Sequence, residues 1–297
     1  CVKAMLFDRC CGAFADHEYE HDFVLNHFSG HGGICDPANS GVDVQKKSDS
    51  QGKLQHNHHT YSNGSTYTGD WLGLVRHGNG VQAWPDGAKY TGQWKYDMAN
   101  GVGRFEHSDG DVYEGEWKDD KAHGRGTYRH SSGSTYVGEW QEDMQHGFGT
   151  ETWPDGATFR GIYQHGVKSG KGFFTWADNS TYAGDIRKNE ICGHGRYTWG
   201  DRREFLGSWK DSCMHGAGRF TWPDGSTFEG KYSRDLKEGW GRFSWSDGRY
   251  FIGKWQDGKR HGPGLLRLSS GETEVGHWEA GLLQKPMDQA SRGQSAS

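Results

Sequence analysis

Residues 113–135 read YEGEWKDDKAHGRGTYRHSSGST. An aromatic, a glycine and a tryptophan stand at alternate positions, Tyr113, Gly115 and Trp117, with Glu114 and Glu116 between them. Alternation of this kind puts the first three side chains on one face of a β-strand and the acids on the other. A second pair of glycines two apart, Gly124 and Gly126, then leads to Tyr128, so a second strand with the same device follows. One face is aromatic and the other wet.

Outward from this stretch the aromatic recurs at Tyr67, Tyr90, Tyr136, Phe159, Tyr182, Phe205, Phe228 and Phe251, at a spacing of 23 with no insertion or deletion. Glycine follows two residues after each aromatic. Two residues beyond it comes Trp, or Tyr163, Ile186 or Tyr232 in its place. Every copy keeps the later glycine pair, and His77, His123, His146, His215 and His261 directly precede it in five of them. Trp-Pro-Asp-Gly at 84–87, 153–156 and 222–225, and Ser-Asp-Gly at 108–110 and 246–248, connect one copy to the next. Proline presets φ for a turn, Asp caps its backbone and Gly accepts the left-handed conformation. Such short connections make neighbouring strands antiparallel. One copy buries too little to fold alone, so stacked neighbours must complete its core.

Nine full copies span residues 67–273, preceded by a half copy over 53–66 and followed by a partial tenth over 274–284 that keeps Gly276 and Trp278. Residues 1–52 form an N-terminal extension. Within it, Asp16–Phe28 is expected as a short amphipathic helix that caps the first hairpin, and the Gly- and Ser-rich stretch after it as a linker. The polar tail, 285–297, is expected to be disordered.

Tyr-x-Gly-x-Trp, then His-Gly-x-Gly, then Asp-Gly closely resembles the MORN (membrane occupation and recognition nexus) repeat. The resemblance implies an all-β fold, an elongated single-layer antiparallel sheet of β-hairpin repeats, twisted or solenoidal. It also implies a non-catalytic scaffold or adaptor for protein partners in a cytoskeletal, ciliary or membrane-associated assembly. A lipid-binding or lipid-anchored tether and an accessory targeting subunit of an enzyme complex are the alternatives. Two copies depart from the pattern: the fifth, at Ser169 and Asp178-Asn179, and the sixth, at Ile186, Cys192 and Arg202. Tyr163, Trp176 and Trp199 lie near these irregularities and are the first candidates for partner contacts.

Composition narrows the function further. Glycine supplies 48 residues and Trp, Tyr and Phe supply 14, 13 and 14, so the apolar area comes from rings rather than aliphatic side chains. Net charge is −5 with acids and bases interspersed, which gives nucleic acid no basic arm and anionic lipid no basic face. No run of 18 apolar residues marks a membrane helix. Six cysteines without a disulfide-framework spacing suit a reduced, cytoplasmic chain.

Chemistry-bearing motifs are few. Successive copies of the histidine before the glycine pair fall about 10 Å apart, too far to share a metal at bonding distances of about 2 Å, so they read as turn residues. Cys10, Cys11, His17, His21, His27, His31 and Cys35 are a dense set of ligand types, with two His pairs four apart, but no Cys-x-x-Cys accompanies them. Set against the zinc reading is a solvated helix. Cys1, Cys10 and Cys11 flank the apolar stretch Val2–Phe7 and are candidates for S-acylation, which would tether the N-terminus to a membrane. No nucleophile elbow, phosphate loop or paired-carboxylate motif occurs, and no cofactor is expected. The Gly-x-Gly pairs recur in every copy as strand positions.

Overall fold

A computed structural model describes residues 53–286, and every regular element among them is a β-strand. The N-terminal helix, zinc set and S-acylation cysteines expected from the sequence lie outside the described residues, as does the expected tail beyond residue 286; its first two residues, 285 and 286, end the last strand instead. The strands fall into two compact units. Up to Gly170 they are β1 (Gln55–Thr60), β2 (Thr66–Leu72), β3 (Val75–Ala83), β4 (Lys89–Lys95) and β5 (Met98–Glu106). Then come β6 (Val112–Lys118), β7 (Lys121–Arg129), β8 (Thr135–Gln141), β9 (Met144–Thr152) and β10 (Thr158–Gln164). β11 (Val167–Thr175) carries the chain into the second unit, which begins at Lys171. There follow β12 (Thr181–Arg187), β13 (Glu190–Thr198), β14 (Glu204–Lys210), β15 (Cys213–Thr221) and β16 (Thr227–Ser233). β17 (Leu236–Ser244), β18 (Tyr250–Gln256), β19 (Lys259–Arg267), β20 (Thr273–Glu279) and β21 (Leu282–Pro286) complete it.

Pairing is antiparallel between sequence neighbours, from β1 to β10 in the first unit and from β12 to β21 in the second. The register sets glycine against glycine in an unbroken row: Gly69 opposite Gly80, Gly80 opposite Gly92, Gly92 opposite Gly103. The reason is the aromatic ring. A methyl group built on Gly103 would come within 2.3 Å of the Tyr90 hydroxyl, because the ring lies flat across the glycine row of its own hairpin. Tyr90 is fully buried, and its Oη donates to the Gln93 carbonyl at 3.0 Å.

The tryptophan ties repeats together. Trp94 Nε1 donates to the Gly80 carbonyl of the preceding repeat at 3.2 Å, and Trp117 does the same to Gly103 at 3.1 Å. Tyr90 meets Trp94 edge-to-face at 5.0 Å and Trp117 of the next repeat at 5.3 Å. Each such pair contributes about 0.5–1.5 kcal/mol beyond its buried area. The core is a one-residue-thick pavement of rings along one face of the hairpins.

Two kinds of turn connect the strands. Between repeats, Gly87 N donates to the Trp84 carbonyl at 3.0 Å and Ala88 N to Asp86 Oδ1 at 3.0 Å, with Gly87 at φ +97°. This is the turn the Trp-Pro-Asp-Gly motif predicts. The fifth and sixth repeats put Asn179 at φ +63° and Arg202 at φ +69° in the glycine's place. Asn tolerates that region, whereas Arg202 is held there at a cost in strain.

Within repeats, the two-residue turn was not foreseen. Asp119 and Asp120 take φ +49° and +66°, the signature of a type I′ turn whose twist matches the strands it joins. Asp120 Oδ1 also accepts the Ala99 N–H of the preceding repeat at 2.7 Å. Asp97, Asp143 and Asp235 make the same clasp to Arg76, Ala122 and Met214.

Candidate interaction face

Opposite the ring pavement each strand presents an outward face, shaped by a bulge in the second strand of the first four repeats and of the sixth to ninth. Gly124 takes φ +62° there and the register with β6 slips between Gly115 and Glu116. A bulge leaves a backbone N–H without its ladder partner. The residue three after the repeat's first aromatic supplies the acceptor: Asp70 to Asn79 N at 2.9 Å, Gln93 to Val102 N at 2.8 Å, Glu116 to Arg125 N at 3.0 Å. Glu139 and Asp185 do likewise for Phe148 and His194. These hydrogen bonds hold Asp70 and Asp185 below the usual carboxylate range, with the Lys171 ammonium, 2.5 Å from Asp185, contributing most at that site.

The fifth repeat and the seventh to ninth break this rule. Ile162, Ser208, Lys231 and Lys254 stand where an acid or amide stands elsewhere, all four without a side-chain carbonyl or carboxylate to offer. Charge on the middle of the outward face changes accordingly. In the first unit Asp70, Glu114, Glu116 and Glu139 balance Arg104, Arg125 and Arg160. In the second, the cations Lys171, Arg196, Arg219, Lys231, Arg242 and Lys254 outnumber the acids Asp185, Glu229 and Glu238. The expectation that the repeats carry no basic face holds for the first unit and is corrected for the second. Chain-wide charge conceals it because strand alternation sorts residues by side, not by sequence.

Exposed apolar side chains sit on the same face. Val102, Phe148 and Trp240 occupy one equivalent position just after the bulge glycine and are 59, 49 and 56 % exposed. Val137, Leu206 and Ile252 recur one residue after the first aromatic and are exposed too, as is Val275 at the equivalent place after Glu274. The 23-residue spacing of the inward aromatics carries no information about these residues. Strand parity relative to Tyr67 and its copies would have found them.

The three residues expected to touch a partner are placed differently. Tyr163 is 1 % exposed, packed edge-on against Tyr136 at 5.1 Å, with its hydroxyl donating to Glu151 Oε2 at 2.9 Å. Trp199 is also buried, against Tyr197 and Phe220. Their rings belong to the pavement and leave no surface to offer. Trp176 is half-buried, stacked on Phe174 at 5.2 Å and tilted against Tyr197.

Histidines before the glycine pair take part in local contacts: the Tyr96 N–H donates to His77 Nδ1 at 3.4 Å, and His146 meets His165 edge-on at 5.4 Å. Among the described residues no group of three or more His, Cys, Asp or Glu is placed to hold a metal ion. His56 is bonded to Asp70, and His58 to Thr68 and Thr60. No helix among them is long and apolar enough to cross a membrane.

Comparison with known proteins agrees with the fold. The family model of the MORN repeat matches nine consecutive segments: residues 67–89, 90–112, 113–135, 136–158, 159–181, 182–202, 205–227, 228–248 and 251–273. The chain belongs to the MORN-repeat family. Among curated proteins there is no match. Of solved structures, the chain is similar to the G-box domain of the microcephaly protein CPAP, at 12 % identity and a TM-score of 0.38, over 68 % of this chain and 100 % of that one. It is similar also to the TCP domain of Drosophila melanogaster SAS-4, solved with a proline-rich motif of Ana2. There identity is 12 % and the TM-score 0.28, over 79 % of this chain and 95 % of that one. Likeness at these scores carries no argument about function.

Proposed function

We propose that this chain is a non-catalytic scaffold that holds protein partners on the outward face of its repeats. The observation that carries the reading is the exposure of Val102, Phe148 and Trp240 at one repeat position in the second, fourth and eighth repeats, on strands whose opposite face is already filled by rings. Exposed apolar residues regularly set among charged ones are the composition of a protein-binding surface. Nine near-equal repeats also suit a surface better than a single reaction centre, which needs one special constellation. The cytoskeletal or ciliary setting rests on the usual company of MORN-repeat proteins.

Affinity capture with the full chain from its source cell, followed by mass spectrometry, tests the reading. Stoichiometric partners that are lost when Val102, Phe148 and Trp240 are together changed to Ser are the expected result. Recovery of the soluble chain alone would overturn it.

A further inference from the structure

The missing acids of the later repeats leave a place with defined chemistry. In the first four repeats and the sixth, a side-chain oxygen of the chain itself sits beside the N–H that follows the bulge glycine. In the eighth repeat that place belongs to Lys231, beside the N–H of the exposed Trp240. Trp240 is paired on its other side with Lys254, the equivalent residue of the ninth repeat, and Arg242 lies two residues along the same strand. Among the described residues neither Lys231 nor Lys254 has a carboxylate within ion-pairing distance; Arg242 is bonded to Ser244 Oγ at 3.1 Å and lies over Tyr250. Lysine ammoniums, an indole and a guanidinium fork thus share one patch in which cations outnumber acids: Glu229 lies opposite Arg242 and Glu238 opposite Lys231, neither within ion-pairing distance of a lysine of the patch.

We propose that the outward face of β15–β19 docks an acidic polypeptide segment, whose carboxylates take the place of the acids that the repeats themselves supply elsewhere. This rests on the scaffold reading and names the chemistry of the partner. Equivalent cations recur every second strand, Arg219 then Arg242 in one row and Lys231 then Lys254 in the next. Two strand spacings are about 9.6 Å. An extended polyproline-II segment advances about 3.1 Å per residue with three residues per turn, so every third side chain meets the same row. The bound segment therefore crosses the strands, with acids at every third position and an apolar residue against Trp240 and Ile252. A segment pairing along a strand would instead present same-side residues about 6.6 Å apart, out of step with the cations. Glu229, bonded to Arg219 at 3.5 Å, divides the patch and disfavours a uniformly anionic surface such as a lipid bilayer.

The experiment titrates the full chain into a fluorescein-labelled peptide of repeating Glu-Pro-Pro, followed by anisotropy at low salt, with a Lys-Pro-Pro peptide and phosphatidylserine-containing vesicles as parallel arms. Saturable binding of the Glu peptide alone is expected, weakened about tenfold or more by Lys231→Glu with Lys254→Glu and by Trp240→Ala. Arg104→Glu, on the first unit, serves as the control for general charge and is expected to leave binding unchanged. Three results would overturn the proposal: no binding of the Glu peptide, equal loss in the control variant, or binding of vesicles without the peptide. Circular dichroism of each variant separates a lost site from a lost fold. Retention of cellular partners by a chain that ignores the Glu peptide would sink this inference and leave the scaffold reading standing.

Discussion

Lys168 and Lys237 occupy the same place three repeats apart, and their surroundings decide opposite fates. Lys168 Nζ lies 2.6 Å from Glu151, which also accepts the Tyr163 hydroxyl. Three repeats later Phe220 stands where Glu151 stood. Lys237 keeps only rings, Trp222, Phe228, Phe243 and Trp255 at 5.0–5.2 Å, and the buried hydroxyl of Tyr232 has no hydrogen-bond partner. Cation–π attraction offsets part of the desolvation, yet burial still pushes the Lys237 amine down from 10.5 to about 8. Such a shift corresponds to about 3 kcal/mol against the folded state at pH 7, as an order of magnitude. Because the folded amine loses its proton first, the unfolded chain binds more protons between about pH 8 and 10.5, and stability rises with pH across that window. Lys237→Met is therefore expected to raise the urea midpoint at pH 7 and to flatten its rise toward pH 10. Lys168→Met, which strands Glu151, is expected to cost roughly 3–5 kcal/mol. If both substitutions destabilise alike, position and not pairing governs these lysines.

At the scale of the hairpin, the glycine row and the turn make separate, measurable demands. Gly103→Ala drives a methyl into the Tyr90 ring and is expected to cost about 1–3 kcal/mol or more, since the ring is locked by its bond to Gln93. Asp120 has two tasks, its left-handed φ and its clasp on Ala99 N. Asn keeps both, Gly keeps only the first and Ala keeps neither, so equilibrium unfolding should rank Asp120→Asn mildest and Asp120→Ala worst, the last by about 1–2 kcal/mol. A reversed order of Gly and Ala would show that the backbone conformation matters little. Position by position, these elements differ in how readable they were. Tyr, Gly and Trp at alternate places announce a strand, because packing permits few substitutes where a ring must lie on bare backbone. The turn that carries Asp120 was missed because its two residues vary, from Asp119-Asp120 to His165-Gly166 and Lys188-Asn189, sharing only tolerance of positive φ. Irregularity has a core reading as well: Tyr163 departs from Trp, and its ring is buried with its hydroxyl on Glu151. Outward chemistry was hidden for a related reason, since Lys231 and Lys254 gain meaning only beside the acids that they replace.

For the whole chain, the uniform period makes repeats interchangeable in the fold while their outward residues are not. Deleting residues 113–135 joins Val112 to Tyr136, and Trp140 then stands where Trp117 stood, with the Gly103 carbonyl for its Nε1. Deleting residues 228–250 likewise brings Trp255 into the place of Tyr232 against Phe205. Both deletions keep every strand's parity, and stability in such arrays is close to a sum of repeat and neighbour terms. Each variant is therefore expected to unfold cooperatively in urea with a modestly lower midpoint. The second should lose less, because it also removes the buried Lys237 amine. Excising residues 113–124 alone would instead run two second strands together and turn the aromatic face outward, and no cooperative transition is expected. The same pair of whole-repeat deletions separates fold from function. Loss of residues 228–250 takes away Lys231, Trp240 and Arg242 and should abolish binding of the Glu-Pro-Pro peptide, whereas loss of residues 113–135 should leave it intact. Equal binding by the two would place the acidic segment somewhere other than on β15–β19.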